Sequence, residues 1–156
     1  FAHMEEIDLC WRLHLLGYNV WSEPKSIVYH KNAVTLPMYS AKKYYLNHRN
    51  SLIMLLTNYS IPLAIYVLPI RFALDMVAVI YAILHGDGKH IKGIARAHAW
   101  IIYHPRKLYL KRKKVKKIRK LKDKDIASKM YFGSIVFAHY ILRKNRYLEL
   151  FGNPRS

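Results

Sequence analysis

The sequence predicts an α/β unit over residues 1–58, followed by a mainly α-helical, membrane-associated tail. Three observations carry that expectation. The opening residues read as helix, short strand, turn and second strand. A nearly uncharged stretch runs from Ile61 to His85, and a polybasic segment from Arg106 to Lys124. The last two divide the tail into an apolar helical part, 59–104, and a basic helix with a terminal helix, 105–156.

Taken in order, Glu5 to Leu16 has apolar residues at three- and four-residue steps through Ile7, Cys10 or Trp11, and Leu15, the pattern of an amphipathic helix. Gly17 is placed to cap its C-terminus. Tyr18–Trp21 and Ser26–His30 read as strands separated by a turn at Ser22-Glu23-Pro24. Two strands do not make a sheet alone, so a partner sheet is expected from upstream. A helix is expected from Ala41 to Tyr59. In the greasy stretch, Pro62 and Pro69 act as dividers, with Pro69 best suited to the first turn of a helix ending near Leu84 and closed by Gly86-Asp87-Gly88. A further helix covers His90 to Tyr103 and stops before Pro105. In the basic run, Leu108, Val115, Ile118 and Leu121 form one narrow apolar stripe. A last helix passes through Ser134–Tyr140.

Composition narrows the function classes. The 156 residues are 53% apolar and 23% charged, which argues against general disorder. The 27 Lys and Arg against 9 Asp and Glu give a net charge of +18, which calls for an anionic partner or surface. The single cysteine, Cys10, forms no internal disulfide and suits a reducing compartment. The chain opens without an initiator methionine, inside its most chemically suggestive stretch, and is read as the C-terminal part of a longer protein. That stretch gathers Glu5, Glu6 and Asp8, a third of all the acids, at a helix start. Such a position favours carboxylates through the helix dipole alone. The alternative is that they form one edge of an active site.

The ordered motifs Glu5-Glu6-Ile7-Asp8-Leu9-Cys10-Trp11-Arg12, Gly17-Tyr18, Ile27-Val28-Tyr29-His30 and Arg49-Asn50 resemble the end of the catalytic domain in bacterial, inverting family 2 glycosyltransferases, rhamnosyltransferase-like enzymes among them. The resemblance covers residues 1 to about 58. It implies a GT-A, Rossmann-like nucleotide-sugar domain, a nucleotide-sugar donor, and a glycan or lipid-linked acceptor. It also implies a divalent metal, Mg or Mn, bound mainly upstream of this chain. In the family the second acid of the pair is usually Asp, and here it is Glu6. The resemblance makes Glu6 the general base that takes the acceptor proton, with Glu5 its neighbour in acceptor binding. A positioned base of this kind contributes roughly 10²–10⁴-fold to rate. Asp8 and Arg12 stand four apart, and either pair on one helix face or touch substrate. His30 either approaches the metal or is an ordinary strand histidine. Arg49 either meets the departing diphosphate with its guanidinium fork or pairs locally. The family's metal-binding Asp-x-Asp is absent: Asp123-Lys124-Asp125 has the letters but follows a basic run, not an apolar strand. The chain alone is therefore expected to be inactive.

The stretch Ile61–His85 reaches about 37 Å as a helix, bilayer length. Its thirteen Leu, Ile, Val and Phe contribute about −6 kcal/mol to insertion, and Arg71 and Asp75 cost about 3 kcal/mol each. That balance favours an interfacial or re-entrant arrangement, with Arg71 and Asp75 turned to headgroups or to the domain and paired at i,i+4. The twelve Lys and Arg between Arg106 and Lys124 suit an anionic cytoplasmic leaflet, each about 1 kcal/mol near the surface. The expected location is the cytoplasmic face of the membrane, peripheral or monotopic. The competing reading is a basic membrane-surface or nucleic-acid-binding module without catalysis. The sequence carries no zinc finger or recognition motif, and its long apolar stretch is superfluous in a nucleic-acid binder, so nucleic acid is not expected as a partner.

Overall fold

The computed structural model describes residues 3–29, 37, 39–128, 130, 131, 133, 135–144, 146, 149 and 150. Its elements are helices: α1 (Glu5–Leu15), α2 (Ala41–Asn58), α3 (Ile61–Leu84), α4 (Gly88–Tyr103), α5 (Pro105–Ile118), α6 (Asp123–Ala127) and α7 (Ile135–Tyr140).

This corrects the α/β expectation. Among the described residues there is no strand, so the chain holds no Rossmann-like or GT-A sheet and is mainly α-helical. The turn between the expected strands does form, with Ser26 N donating to Glu23 O at 3.0 Å. Tyr18–Trp21 and Ser26–Tyr29, however, form no strand with any described residue. A single hairpin is marginal in water without a third strand or a packing surface. Among the described residues neither is offered: Trp21, Ile27, Val28 and Tyr29 are 86%, 76%, 79% and 95% exposed. His30, the expected metal ligand, lies outside the described residues.

The helical expectations fare differently. Gly17 ends α1 as expected, at φ +91°, while the N–H groups of Gly17 and Tyr18 reach back to His14 O and Leu13 O at 2.8 and 3.0 Å. Gly86, at φ +66°, closes α3, and Asp87 then starts α4 by accepting a hydrogen bond from His90 N at 3.0 Å. Pro69 was expected at a helix start, but it lies inside α3, whose first turn carries Pro62 instead. The reach of the apolar run on both sides of Pro69 outweighs the one backbone bond that its ring removes.

Helix α2 is the centre of the packing, against α4 above all and also against α5 and α3. At the α2–α4 crossing Gly93 lets the backbones meet: a Cβ there would fall 2.5 Å from Tyr44 Cβ and 2.9 Å from Tyr45 N. A second centre joins α1, α2, α5 and α6 through Trp11, Leu15, Met54, Val115 and Ile126. Trp11 meets Tyr59 edge-on at 4.5 Å. Two arginines of the basic segment serve as fasteners. Arg112 donates to the carbonyls of Leu56 and Tyr59, and Arg119 to that of Asn58. These carbonyls belong to the C-terminal end of α2, where the helix leaves its acceptors unsatisfied and favours cations.

Helix α3 is long and apolar enough to cross a membrane, with a mean hydropathy of 2.0 in its best window and 11% of that window buried. Ile65, Phe72, Leu74, Val77 and Ile80 are all exposed on it. Its charges are turned inward, as expected for the domain side: Asp75 is 2% exposed and pairs with Arg71 at 2.9 Å.

Candidate functional site

The first turn of α1 sends its acids in two directions. Glu5 and Asp8, with Arg12 one turn further on, line a cavity of about 520 Å³. Its other walls come from Asn50, Ile53, Met54 and Thr57 on α2, and from Lys111, Lys114 and Val115 on α5. Glu6 is one residue from Glu5, hence about 100° around the helix. It is exposed and borders a separate recess of about 330 Å³ with Cys10, His14 and Ile126. The acid pair is thus split between two faces of one helix.

Asp8 is fully engaged. Its Oδ2 pairs with Arg12 at 3.0 Å and its Oδ1 accepts from Asn58 Nδ2 at 2.8 Å. Of the two readings open for Asp8 and Arg12, the structure shows the intrahelical pair. Glu5 differs: its Oε2 is buried and makes no hydrogen bond to any described residue. A buried carboxylate oxygen without a donor is costly. Glu5 lines the cavity wall, but this oxygen is closed off from solvent, so it meets a ligand only after the carboxylate turns. Lys111 lies across the same space, and burial holds its ammonium below the usual lysine range, against the opposing pull of Asp8. Two carboxylates, a guanidinium and two ammonium groups belong to the residues lining this cavity, a mixed set that suits a ligand with both hydroxyl and anionic groups.

Arg49 is held locally, as one of its two readings had it. Its Nε and Nη2 donate to Asn50 Oδ1 at 3.0 and 2.8 Å, and Nη1 donates to Tyr45 OH at 3.2 Å. The guanidinium also lies 4.9 Å from the Tyr45 ring centre and 5.4 Å from that of Trp100. Asn50 in turn donates to His3 O at 2.9 Å, so Arg49 orients the cavity residue Asn50 and the chain entering α1. Sequence reasoning missed Lys111, Lys114 and Asn58. The lysines were two among twelve similar cations, and nothing short of the fold distinguishes them.

Among the described residues no group of three or more His, Cys, Asp or Glu is placed to hold a metal ion. The divalent metal implied by the resemblance therefore has no donor set among them. Asp123 and Asp125 are both occupied structurally: Asp123 accepts from Ser60 N and pairs with Arg119, and Asp125 accepts from Lys122 N. A search of family models, of curated proteins and of solved structures finds no match for this chain.

Proposed function

We propose that this chain is the acceptor-side part of an inverting glycosyltransferase of the family 2 type, acting at a membrane surface. The observation that carries the reading is Glu5, whose buried Oε2 makes no hydrogen bond to any described residue and whose side chain lines a cavity with Asp8, Arg12, Asn50, Lys111 and Lys114. An acceptor sugar hydroxyl donates to Glu5, while the lysines meet an anionic group of a glycan or lipid-linked acceptor. Glu6 faces the neighbouring recess and not this cavity, so as base it takes the proton of a different hydroxyl, on an acceptor that reaches around α1, as that oxygen attacks the anomeric carbon. The donor nucleotide sugar and a divalent Mg or Mn are held by residues outside this chain. The polypeptide sits on the cytoplasmic face, peripheral or monotopic, with α3 in the interface and the exposed cations of α5 on anionic lipid.

The test is sugar transfer by membranes from cells producing the protein together with its donor-binding half, supplied with labelled nucleotide sugars. Glu6→Gln is expected to lower turnover by about 10²–10⁴-fold. Glu5→Gln is expected to raise the KM for acceptor more than it lowers kcat. Undiminished turnover in Glu6→Gln removes Glu6 from the mechanism. A non-catalytic basic membrane-surface module is the second reading, favoured by the exposed apolar face of α3 together with the exposed lysines of α5. Membrane association with no transfer from any donor would select it.

A further inference from the structure

Asp75 is the only acid in helices α2, α3, α4 and α5, it is 2% exposed, and the proposed reaction does not use it. Its two oxygens are served unequally. Oδ1 accepts from Arg71 Nε at 3.1 Å, and His48 Nδ1 of α2 lies 2.9 Å from the same atom. Arg71 Nη1 donates in turn to Ser51 Oγ of α2 at 2.7 Å, so this side of α3 is fastened to α2. Oδ2 is buried and makes no hydrogen bond to any described residue. His98 Nε2 of α4 faces it at 3.4 Å, within reach of an ion pair but too long for a made N–H···O bond. The His98 ring also meets Phe72 of α3 edge-on, with centres 5.7 Å apart.

The His98 ring is set between two acceptors. Its Nδ1 lies 3.1 Å from the carbonyl of Ile94, one turn back on α4, and its Nε2 faces the carboxylate. The carbonyl cannot donate, and neither can Asp75 while the permanently charged Arg71 keeps it ionised. A neutral imidazole has a single N–H for these two oxygens. With the hydrogen on Nδ1, the Ile94 carbonyl is bonded and the lone pair of Nε2 faces Oδ2, the arrangement to which the two distances correspond. With the hydrogen on Nε2, Oδ2 gains a donor but the lone pair of Nδ1 is set against the carbonyl. Only the imidazolium serves both. His48 differs: a neutral ring there can donate from Nδ1 to Asp75 while its Nε2 accepts from His90 Nε2 at 3.2 Å.

We propose that His98 is a proton-closed clasp between α4 and the membrane-length helix α3: on taking up a proton its Nε2 donates to Asp75 Oδ2, and α3 is held more tightly in acid than at neutral pH. A charge-assisted N–H···O bond runs to about 2.7–2.9 Å, so closing the clasp asks for a movement of about half an ångström. The driving force is the buried oxygen that otherwise has no donor. The added charge meets Asp75 directly from α3, with Arg71 on the farther oxygen; from α2 it meets His48 on that same oxygen, behind which stands His90 of its own helix. The carboxylate is at ion-pair distance and the cations lie beyond it, so attraction prevails. A base that gains a partner on protonation contributes stability that is present in acid and lost as pH rises. Imidazoles make that change within the range where proteins work, around pH 6.5.

The experiment joins imidazole-nitrogen NMR to amide hydrogen exchange on the detergent-solubilised full chain at pH 7.5 and pH 5.0. In wild type His98 is expected to carry hydrogen on Nδ1 alone at pH 7.5 and on both nitrogens at pH 5.0. Over the same step the α3 amides around Asp75, corrected for the intrinsic effect of pH, are expected to exchange about tenfold more slowly, the worth of one charge-assisted hydrogen bond. His98→Gln offers Asp75 an uncharged donor at every pH and is expected to show a smaller step. His98→Phe keeps a ring against Phe72 without a nitrogen and is expected to lose the step as well. A His98 that already carries both hydrogens at pH 7.5, or carries its single hydrogen on Nε2, overturns the clasp. So does an exchange step that is absent from wild type or equally large in the two variants.

Discussion

Asn58, the last residue of α2, donates from Nδ2 to Asp8 Oδ1 at 2.8 Å across fifty positions of chain, while Arg12 holds the other oxygen at 3.0 Å. Asn58 is fully buried, and its own carbonyl accepts from Arg119. One asparagine thus ties the acidic start of α1 to the end of α2 and to the basic segment. Asn58→Ala is expected to destabilise by about 1–3 kcal/mol, because it strips a donor from a carboxylate set into the fold. Arg12→Ala is expected to cost at most about 1 kcal/mol, since the arginine side chain is 43% exposed. Chemical denaturation of the two variants beside wild type measures both. A larger cost for Arg12→Ala than for Asn58→Ala would mean that the intrahelical pair, not Asn58, anchors Asp8.

Gly93 is the tightest point of the helix crossing. Alanine is a better helix former than glycine by about 1 kcal/mol, which alone predicts stabilisation. The added Cβ, however, meets Tyr44 Cβ at 2.5 Å and the Tyr45 backbone nitrogen at 2.9 Å, neither of them the free end of a flexible side chain. The overlap decides the sign. Gly93→Ala is expected to lower stability by about 1–3 kcal/mol, read as a fall in the thermal midpoint, and Gly93→Val by more.

The features legible in the sequence were those set by local rules. The bounds of α1, α2 and α4 follow from apolar spacing, from Gly17 and from Gly86-Asp87-Gly88, because capping is decided within a few residues. The apolar stripe of α5 was also legible, since Val115 is buried and Leu108 and Ile118 are partly so, while Leu121, also partly buried, lies just past the helix end. The strands were not, for a physical reason: alternation at Tyr18–Trp21 and Ser26–Tyr29 records a preference for extended backbone, but a strand exists only with a partner. Pro69 misled because a breaker acts on one turn, while apolar length acts over the whole helix. At the site, the sequence brought together acids that the helix then parts, since adjacent residues cannot share a helix face. The histidine chain through Asp75 was hidden for the opposite reason: His48 on α2, Asp75 on α3 and the α4 pair His90 and His98 come from three separate helices and are joined only through packing.

Acid sensitivity is also expected where the basic segment docks on α2. Burial alone pushes the Asp123 carboxyl up, but hydrogen bonds from Ser60 N and Arg119 outweigh it and hold the group below its ordinary value of 3.8. A carboxyl depressed on folding contributes stability that is fully present above its unfolded value and is lost as pH falls through the folded one. Wild type is therefore expected to lose stability progressively below about pH 4 through this group. Asp123→Asn is expected to be less stable at neutral pH and flatter in the acid limb. A series of denaturation curves from pH 7 to pH 2.5 makes the comparison, and parallel acid limbs would remove Asp123 from the linkage.

The outward cations of α5 give the last expectation. Arg112 and Arg119 are spent on the carbonyls of α2, whereas Lys113, Lys116, Lys117 and Lys120 are exposed. Each lysine near an anionic leaflet contributes about 1 kcal/mol before saturation, and the contribution decays within a Debye length. Changing Lys116, Lys117 and Lys120 together to Gln removes about 3 kcal/mol, about a hundredfold in affinity for vesicles containing anionic lipid. Vesicles of zwitterionic lipid alone are expected to bind wild type and the triple variant alike, through the apolar face of α3. Raising the salt from 0.05 to 0.5 M is expected to release the protein partly, and detergent to complete the release. Full release by salt would show that the lysines hold the protein without α3; a triple variant that binds anionic vesicles as tightly as wild type would show that α3 holds it without the lysines.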